Sequence, residues 1–303
     1  MDPFLSRIGR GQVLLADGAI GSLLMARGLP RGAAPESINL SHPEVLEEIA
    51  RLYLDAGAEI IQTNTFGASP LKLAAYGLEA ETAAINENAV RAVRRAIGDR
   101  AYLSASCGPC GRMLKPYGDT DGEAVFASFR AQMKALVNAG VDMICIETMS
   151  DLGEARLAVE AARSVAAAIP LMATMTFEAT ARGFFTIMGV TIEKACRELA
   201  AAGADLVGSN CGNGSRQMVA IAGEFRKFTA LPLLIQANAG VPELRAGLVH
   251  YPETPEFMAG MVGELIAAGA AVIGGCCGTT PDHTRAMRRA VDDERRRRGD
   301  SSI

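Results

Sequence analysis

The chain has no tryptophan, and aromatic residues fill only 5% of its 303 positions. Quaternary ammonium ligands are held against aromatic faces, so a full aromatic cage is disfavoured. Histidine is scarce as well, at three residues, and no Gly-x-Ser-x-Gly elbow is present. Both absences argue against a histidine-driven hydrolase. Long apolar runs are missing: "AVIGG" and "LPLLIQA" fall far short of the ~20 residues of a membrane span. The opening "MDPFLSRIGRGQ" lacks the apolar core of an export signal, so a cytoplasmic location is expected. Excess positive charge is also lacking. The net charge is −4 and the pI about 5.6, which disfavours nucleic acid as a partner. The one basic run, 295–298, follows acidic residues and reads as a solvated helix end.

What remains is ordinary globular composition, 49% hydrophobic and 21% charged, with ample material for a core. No Pro-, Ser- or Gly-rich linker divides it. One domain is expected over 1–290, with a charged tail at 291–303. Seven cysteines without an export signal suggest thiols kept for chemistry rather than a disulfide framework.

Short, near-continuous apolar runs recur at 12–19, 59–66, 101–109, 143–150, 170–177, 206–212, 231–240 and 271–278. Such runs suit strands buried on both faces. Amphipathic stripes lie between them, such as Val45, Leu46, Ile49, Leu52 and Tyr53, or Val125, Phe126, Phe129, Met133 and Val137. Another recurs near 255–268 at Phe257, Met261 and Leu265. Several helices end in "AG" before the next strand, where glycine suits a left-handed stop. Eight strand–helix units predict an α/β fold, a single-domain (β/α)8 TIM barrel, with a doubly wound open sheet as the alternative. In a barrel the active site lies at the C-terminal strand ends.

Those ends carry Asp17, Gly18 and Ala19 on the first strand, Cys107 on the third and Glu147 on the fourth. Asn210 and Cys211 end the sixth, Asn238 the seventh, and Cys276 and Cys277 the eighth. Two adjacent cysteines cannot easily bond to each other, because disulfides span more than the ~3.8 Å between neighbouring Cα atoms. Cys211, Cys276 and Cys277, leaning over one rim, have the composition of a catalytic zinc site with one open position. The alternative is that they pack as small hydrophobes, the reading that fits Cys145 and Cys196.

A second reading comes from "SCGPCGR", where Cys107 and Cys110 have the spacing of a thiol–disulfide oxidoreductase. No helical pattern follows it, so a loop lining the site is expected. "GSNCGNGSRQM" is too short a signal for a phosphate loop. His42 and His283 sit beside helix starts, with Ser41 or Thr280 as the N-cap, and His250 follows strand seven as a candidate for the edge of the site.

With these residues assembled, "LLADGAIGSLL", "LDAGAEIIQTNTFGAS", "IETMSD", "GSNC", "ANAG" and "GGCCGTTPDH" resemble the motifs of the homocysteine S-methyltransferase family along nearly the whole chain. The likeness extends to the homocysteine-binding zinc barrel of cobalamin-dependent methionine synthase. The resemblance implies zinc on Cys211, Cys276 and Cys277, and a homocysteine sulfur in the fourth position. Asn238 would occupy that position when substrate is absent. Glu147 would bind the substrate amino group, and Gly18 and Ala19, with Asp17 beside them, its carboxylate. Asn210 joins the substrate-lining set, and Glu147 and Asp17 are the catalytic candidates. The acceptor implied is homocysteine or a related thiol, and the product methionine.

The stretch 180–195, "GVPELRAG" and the second cysteine of "CGPCGR" depart from the family pattern, and these loops face the methyl donor. No Asp-x-His-x-x-Gly motif is present, so methylcobalamin would arrive on a separate corrinoid protein. A sulfonium could instead donate directly. A betaine-type donor would have to draw on Phe66, Phe177, Phe184, Phe185, Tyr117 and Tyr251. A non-catalytic zinc subunit docking on a corrinoid protein is the remaining alternative.

Overall fold

The computed structural model describes residues 1–30, 32–245 and 248–299. Eight parallel strands form one sheet: β1 (Leu14–Leu15), β2 (Ile60–Gln62), β3 (Tyr102–Cys107), β4 (Met143–Met149), β5 (Leu171–Met175), β6 (Leu206–Asn210), β7 (Leu233–Ala237) and β8 (Ala270–Gly275). Neighbours in sequence are neighbours in the sheet, and β8 returns to pair with β1. The last gap is bridged where Ala16 pairs with Ile60 in parallel. The sheet is therefore the (β/α)8 barrel expected from the recurring units.

Side chains alternate between the two sides of the wall, as the two-residue strand period requires. Leu15, Ile61, Leu103, Ile144, Ala173 and Ile235 face the helices. Leu14, Ile60, Tyr102, Met143, Cys145, Met172, Leu206, Leu234 and Val272 form a separate cluster inside the barrel. Phe4 and Ile8, on the helix Phe4–Gly9, join that inner cluster. Phe4 meets the Tyr102 ring edge-on, centroids 5.6 Å apart.

One step of two residues further along five of the strands, the interior turns polar, while Ala16, Gly208 and Gly274 follow Leu14, Leu206 and Val272. Ile60 gives way to Gln62, Tyr102 to Ser104 and Ser106, Cys145 to Glu147, Met172 to Thr174, and Leu234 to Gln236. A greasy floor and a polar mouth thus follow from one alternation pattern read along these five strands.

Left-handed glycines end the helices where the "AG" joins fall: Gly57 (φ 95°), Gly140 (94°), Gly203 (109°) and Gly269 (96°). Several local expectations are revised. The stripe near 255–268 is two helices, Pro255–Gly260 and Val262–Ala267, with Met261 between them. His42, not Ser41, is the N-cap of Pro43–Asp55, because Ser41 ends the preceding helix Ile38–Ser41. Thr280 does cap Pro281–Arg297, in a reciprocal box with His283. Two short hairpins, Glu178–Thr180 with Gly183–Phe185 and Glu243–Arg245 with Leu248–His250, rise after β5 and β7. Residues 246–247 of the second, within "GVPELRAG", lie outside the described residues.

The last helix runs through residue 290 to Arg297, so the division expected there falls inside one helix. Within the basic run, Arg296, Arg297 and Arg298 are exposed as expected, but Arg295 is half-buried and turns inward. It reaches the Val13 carbonyl at 2.5 Å and Glu59 at 2.9 Å. Glu59 also accepts from Arg7 at 2.6 Å and Arg288 at 2.7 Å, tying both chain ends to the barrel. Residues 300–303 lie outside the described residues. No helix among the described residues is long and apolar enough to cross a membrane.

Candidate active site

Three strand ends bring three thiols together. Cys211 follows β6, and Cys276 and Cys277 follow β8. Their sulfurs all lie within 4.8 Å of one another, and Cys211 Sγ is 3.8 Å from Cys277 Sγ. Four sulfurs at the ~2.3 Å zinc–sulfur distance in a tetrahedron stand ~3.8 Å apart. The donor set and its spacing therefore fit a zinc ion, which thiolates select over hard cations.

The backbone explains the convergence. The Cys276 N–H bonds to the Ala237 carbonyl at 2.7 Å, and the Cys211 N–H to the Gln236 carbonyl at 3.1 Å, so both anchor on β7. Cys211 has φ 61°, a left-handed value uncommon outside glycine. Hydrogen bonding with the Cys276 and Cys277 thiols holds the Cys211 ionisation well below the ordinary thiol value. Cys276 and Cys277 move upward in turn, since a thiolate already stands beside them. Tyr251 lies over Gly278, where an added Cβ would stand 2.1 Å from the ring. Burial, followed by the charge of Cys277 and Cys211, pushes its phenol up to about 12.

Beside the thiols lie two buried carboxyl groups. Glu147 sits where the pairing of β4 with β5 slips between Ile146 and Met149, a bulge that re-aims the strand. Its Oε1 accepts from Gln62 Nε2 at 3.2 Å and from the Ser106 hydroxyl, and Oε2 from Asn210 Nδ2 at 3.4 Å. These partners are all neutral. Burial pushes its pKa up to about 7, against the pull of Ser106. Asp17 Oδ2 accepts from the Gln62 N–H at 2.8 Å, while Oδ1 is buried with no partner. Burial raises Asp17 to about 8, with the Glu147 charge adding to the effect.

The 17–19 segment is sewn to the eighth strand end. The Gly275 N–H donates to the Asp17 carbonyl at 2.9 Å, and the Ala19 N–H to Thr279 Oγ1 at 3.1 Å. The Tyr53 hydroxyl donates to the Ala19 carbonyl at 2.8 Å. Gly18 has no room for a side chain, because a Cβ would lie 2.5 Å from Thr279 Oγ1. Asn238 is buried after β7, where it helps to lower the Cys211 ionisation, with its own Oδ1 unpartnered.

A profile of the homocysteine S-methyltransferase family matches residues 14–291. The chain belongs to the homocysteine S-methyltransferase family. It is 31% identical to methionine synthase of Mycobacterium leprae (strain TN) over 297 residues, covering 92% of this chain and 24% of that protein. The Mycobacterium tuberculosis methionine synthase is 30% identical, with 94% and 25% covered. The chain thus spans about a quarter of the length of these relatives. The solved homocysteine methyltransferase MmuM from Escherichia coli, in metallated form, superposes with a TM-score of 0.76 at 26% identity, covering 95% of this chain and 99% of that one.

In this family member, Asp17, Gly18, Ala19, Glu147, Asn210, Cys211, Asn238, Cys276 and Cys277 lie at or just after the C-terminal strand ends of the barrel. Gln62, Ser106, Thr148, Thr174, Tyr53 and Thr279 were missed. For Gln62, Ser106 and Thr174 a signal existed: each is a polar residue inside an otherwise apolar strand. For Tyr53 none did, because it sits in the core stripe of its helix.

Other candidates do not join the site. Cys107 and Cys110 are both fully buried. Burial raises the Cys110 thiol to about 12 and Cys107 well above its ordinary value. A redox dithiol needs an accessible, acidic thiol, so this geometry opposes the oxidoreductase reading. Phe177 is fully buried against Phe225 and offers no face to a ligand. The Gly212–Gly214 turn is no phosphate cradle: Glu253 accepts from the Ser215 N–H at 2.9 Å, at the helix start a phosphate would use. His283 bonds Thr280 and the Glu253 carbonyl, and His250 is exposed on the second hairpin.

Proposed function

We propose that the chain transfers a methyl group to the thiol of homocysteine, giving methionine. The observation that carries this reading is the gathering of Cys211, Cys276 and Cys277 beside a buried carboxylate whose partners are all neutral. Cys211, Cys276 and Cys277 would hold a zinc ion, which would supply the positive charge that keeps an incoming thiol deprotonated at neutral pH, where a free thiol is mostly protonated. Glu147 meets the substrate ammonium, the cation that its burial otherwise lacks. Asp17, with one buried oxygen unpartnered, supports that end of the substrate. The turn at Gly18 and Ala19 is assigned the substrate carboxylate on the family resemblance. Asn238, with its buried Oδ1 unpartnered, would fill the fourth position of the bound metal before substrate arrives. The methyl carbon then forms a bond to the substrate sulfur as its bond to the donor breaks, and the electron pair leaves with the donor.

MmuM, named a homocysteine methyltransferase, supports this assignment, as do the two methionine synthases. The donor is methylcobalamin on a separate corrinoid protein, or a small sulfonium or ammonium compound. The test is methionine formation from homocysteine by the zinc-loaded chain, offered S-methylmethionine, glycine betaine and protein-bound methylcobalamin in turn. One zinc per chain and turnover with one of these is the expected result. Metal binding without methyl transfer from any donor would leave only a zinc-binding subunit.

A further inference from the structure

Asn210 makes more bonds than a residue that merely lines a cup. It lies fully buried at the end of β6. Its Oδ1 accepts from the Thr148 N–H at 2.7 Å and from the Thr174 hydroxyl at 2.7 Å. Its Nδ2 donates to Thr148 Oγ1 at 2.7 Å, faces Glu147 Oε2 at 3.4 Å, and stands 3.9 Å from Cys276 Sγ. An amide offers two donors and two lone pairs, so protein groups use all of its capacity and none is left for substrate.

Its grip on Thr148 is unusual. Thr148 has φ 60°, a conformation that a β-branched residue adopts only under constraint. Asn210 holds this residue by both its backbone N–H and its hydroxyl. Thr148 directly follows Glu147 within the bulge of β4. Asn210 also directly precedes Cys211, the other non-glycine residue with positive φ. One side chain therefore touches the carboxylate end of the site and the sulfur end.

We propose that Asn210 is a positioning residue that locks Glu147 and the three-thiol cluster into a single unit, and so sets the distance between the amino group and the sulfur of an accepted thiol. This deepens the methyltransferase reading and rests on it. Through this lock the site selects an α-amino thiol of fixed length over a thiol without the amino group.

Asn210→Asp keeps an acceptor for both Oδ1 bonds and replaces the NH2 donors by a carboxylate oxygen that repels Glu147 Oε2 and Cys276 Sγ, so it breaks the link while sparing the grip on the Thr148 N–H. It therefore separates a fold-holding role from the proposed one. Binding is read by calorimetry on zinc-loaded protein, with homocysteine and with 4-mercaptobutanoate, which lacks the amino group. Cobalt(II) substitution reports the thiolate charge-transfer band. The expected result is a loss of ~10–100-fold in homocysteine affinity. 4-Mercaptobutanoate affinity should change by less than about threefold, and the cobalt band should shift while metal stoichiometry stays constant. Asn210→Ala in a Thr148→Gly background provides the second arm. If Asn210 only relieves strain at Thr148, glycine there restores homocysteine affinity, and that rescue overturns the proposal. Equal losses for both thiols, or wild-type behaviour of Asn210→Asp, overturn it too. An unmutated chain that binds neither metal nor homocysteine sinks the methyltransferase reading itself and this proposal with it, a failure visible before any variant is made.

Discussion

Cys211 and Cys277 are 66 positions apart in sequence, and their sulfurs stand 3.8 Å apart. Neither thiol has a route to the other except through the register of β6, β7 and β8. The Ala237 and Gln236 carbonyls of the intervening strand hold the N–H groups of Cys276 and Cys211.

Replacing one sulfur should therefore abolish the metal site and spare the fold. Cys277→Ser is expected to weaken zinc binding by more than about 100-fold. All three sulfurs sit in half-buried residues at the rim, so the melting temperature of the metal-free protein should stay within a few degrees. Metal analysis after dialysis against a chelator checks the first, and calorimetric melting the second. Full zinc retention by Cys277→Ser would refute the three-thiol site.

Glu147 is assigned the substrate ammonium. Glu147→Gln keeps the shape and removes the charge, so a charge-assisted bond of about 2 kcal/mol is lost. The KM for homocysteine should rise roughly 30-fold. Zinc content should remain that of the unmutated chain. An unchanged KM would move the ammonium elsewhere.

Glu59 governs acid stability. Burial alone would raise its pKa, but Arg295, Arg288 and Arg7 outweigh that and hold it below its ordinary value. A carboxylate whose folded pKa lies below its unfolded one contributes stability above the unfolded value, near 4.3. That contribution fades as pH falls through the lower, folded value. Glu59→Gln should thus cost roughly 2 kcal/mol at pH 7, leaving three guanidinium groups without their shared anion. The gap to the unmutated chain should close as the pH drops below about 4. Urea unfolding across that range measures both.

Gly18→Ala tests the close approach at the first strand end. A methyl group there meets the oxygen of Thr279 and the Tyr53 ring. The turn must move away from Thr279, at a cost of about 1–3 kcal/mol. Homocysteine affinity should fall, while zinc binding by the cysteines persists. Equilibrium unfolding and calorimetric binding separate the two effects.

Much of this architecture was legible locally. A strand buried on both faces needs a short apolar run, and a helix on its outside needs a stripe, so eight units could be counted along the chain. The positions of Asp17, Glu147, Asn210, Cys211, Asn238, Cys276 and Cys277 at strand ends followed from that count. The hairpins after β5 and β7 were not legible: "EATARGFF" lacks the two-residue alternation that marks a half-buried strand, and Glu178, Ala179 and Thr180 are all exposed.

Arg295 shows the same limit for charge. A run of like charges looks the same whether it faces water or an anion. Only the meeting of the last helix with Glu59, 236 positions away, decides which.

The order of elements, the alternation of their faces and the placing of thiols and acids at one end are properties of neighbouring residues, and the sequence alone determined them. Which polar group answers which is decided by register between strands that meet only when the barrel closes. That Gln62 joins Asp17 to Glu147, that Asn210 grips Thr148, and that Cys107 and Cys110 lie sealed in the core are of this second kind. Hydrogen bonds act over about 3 Å, and the chain carries no local mark of what will lie that close after closure.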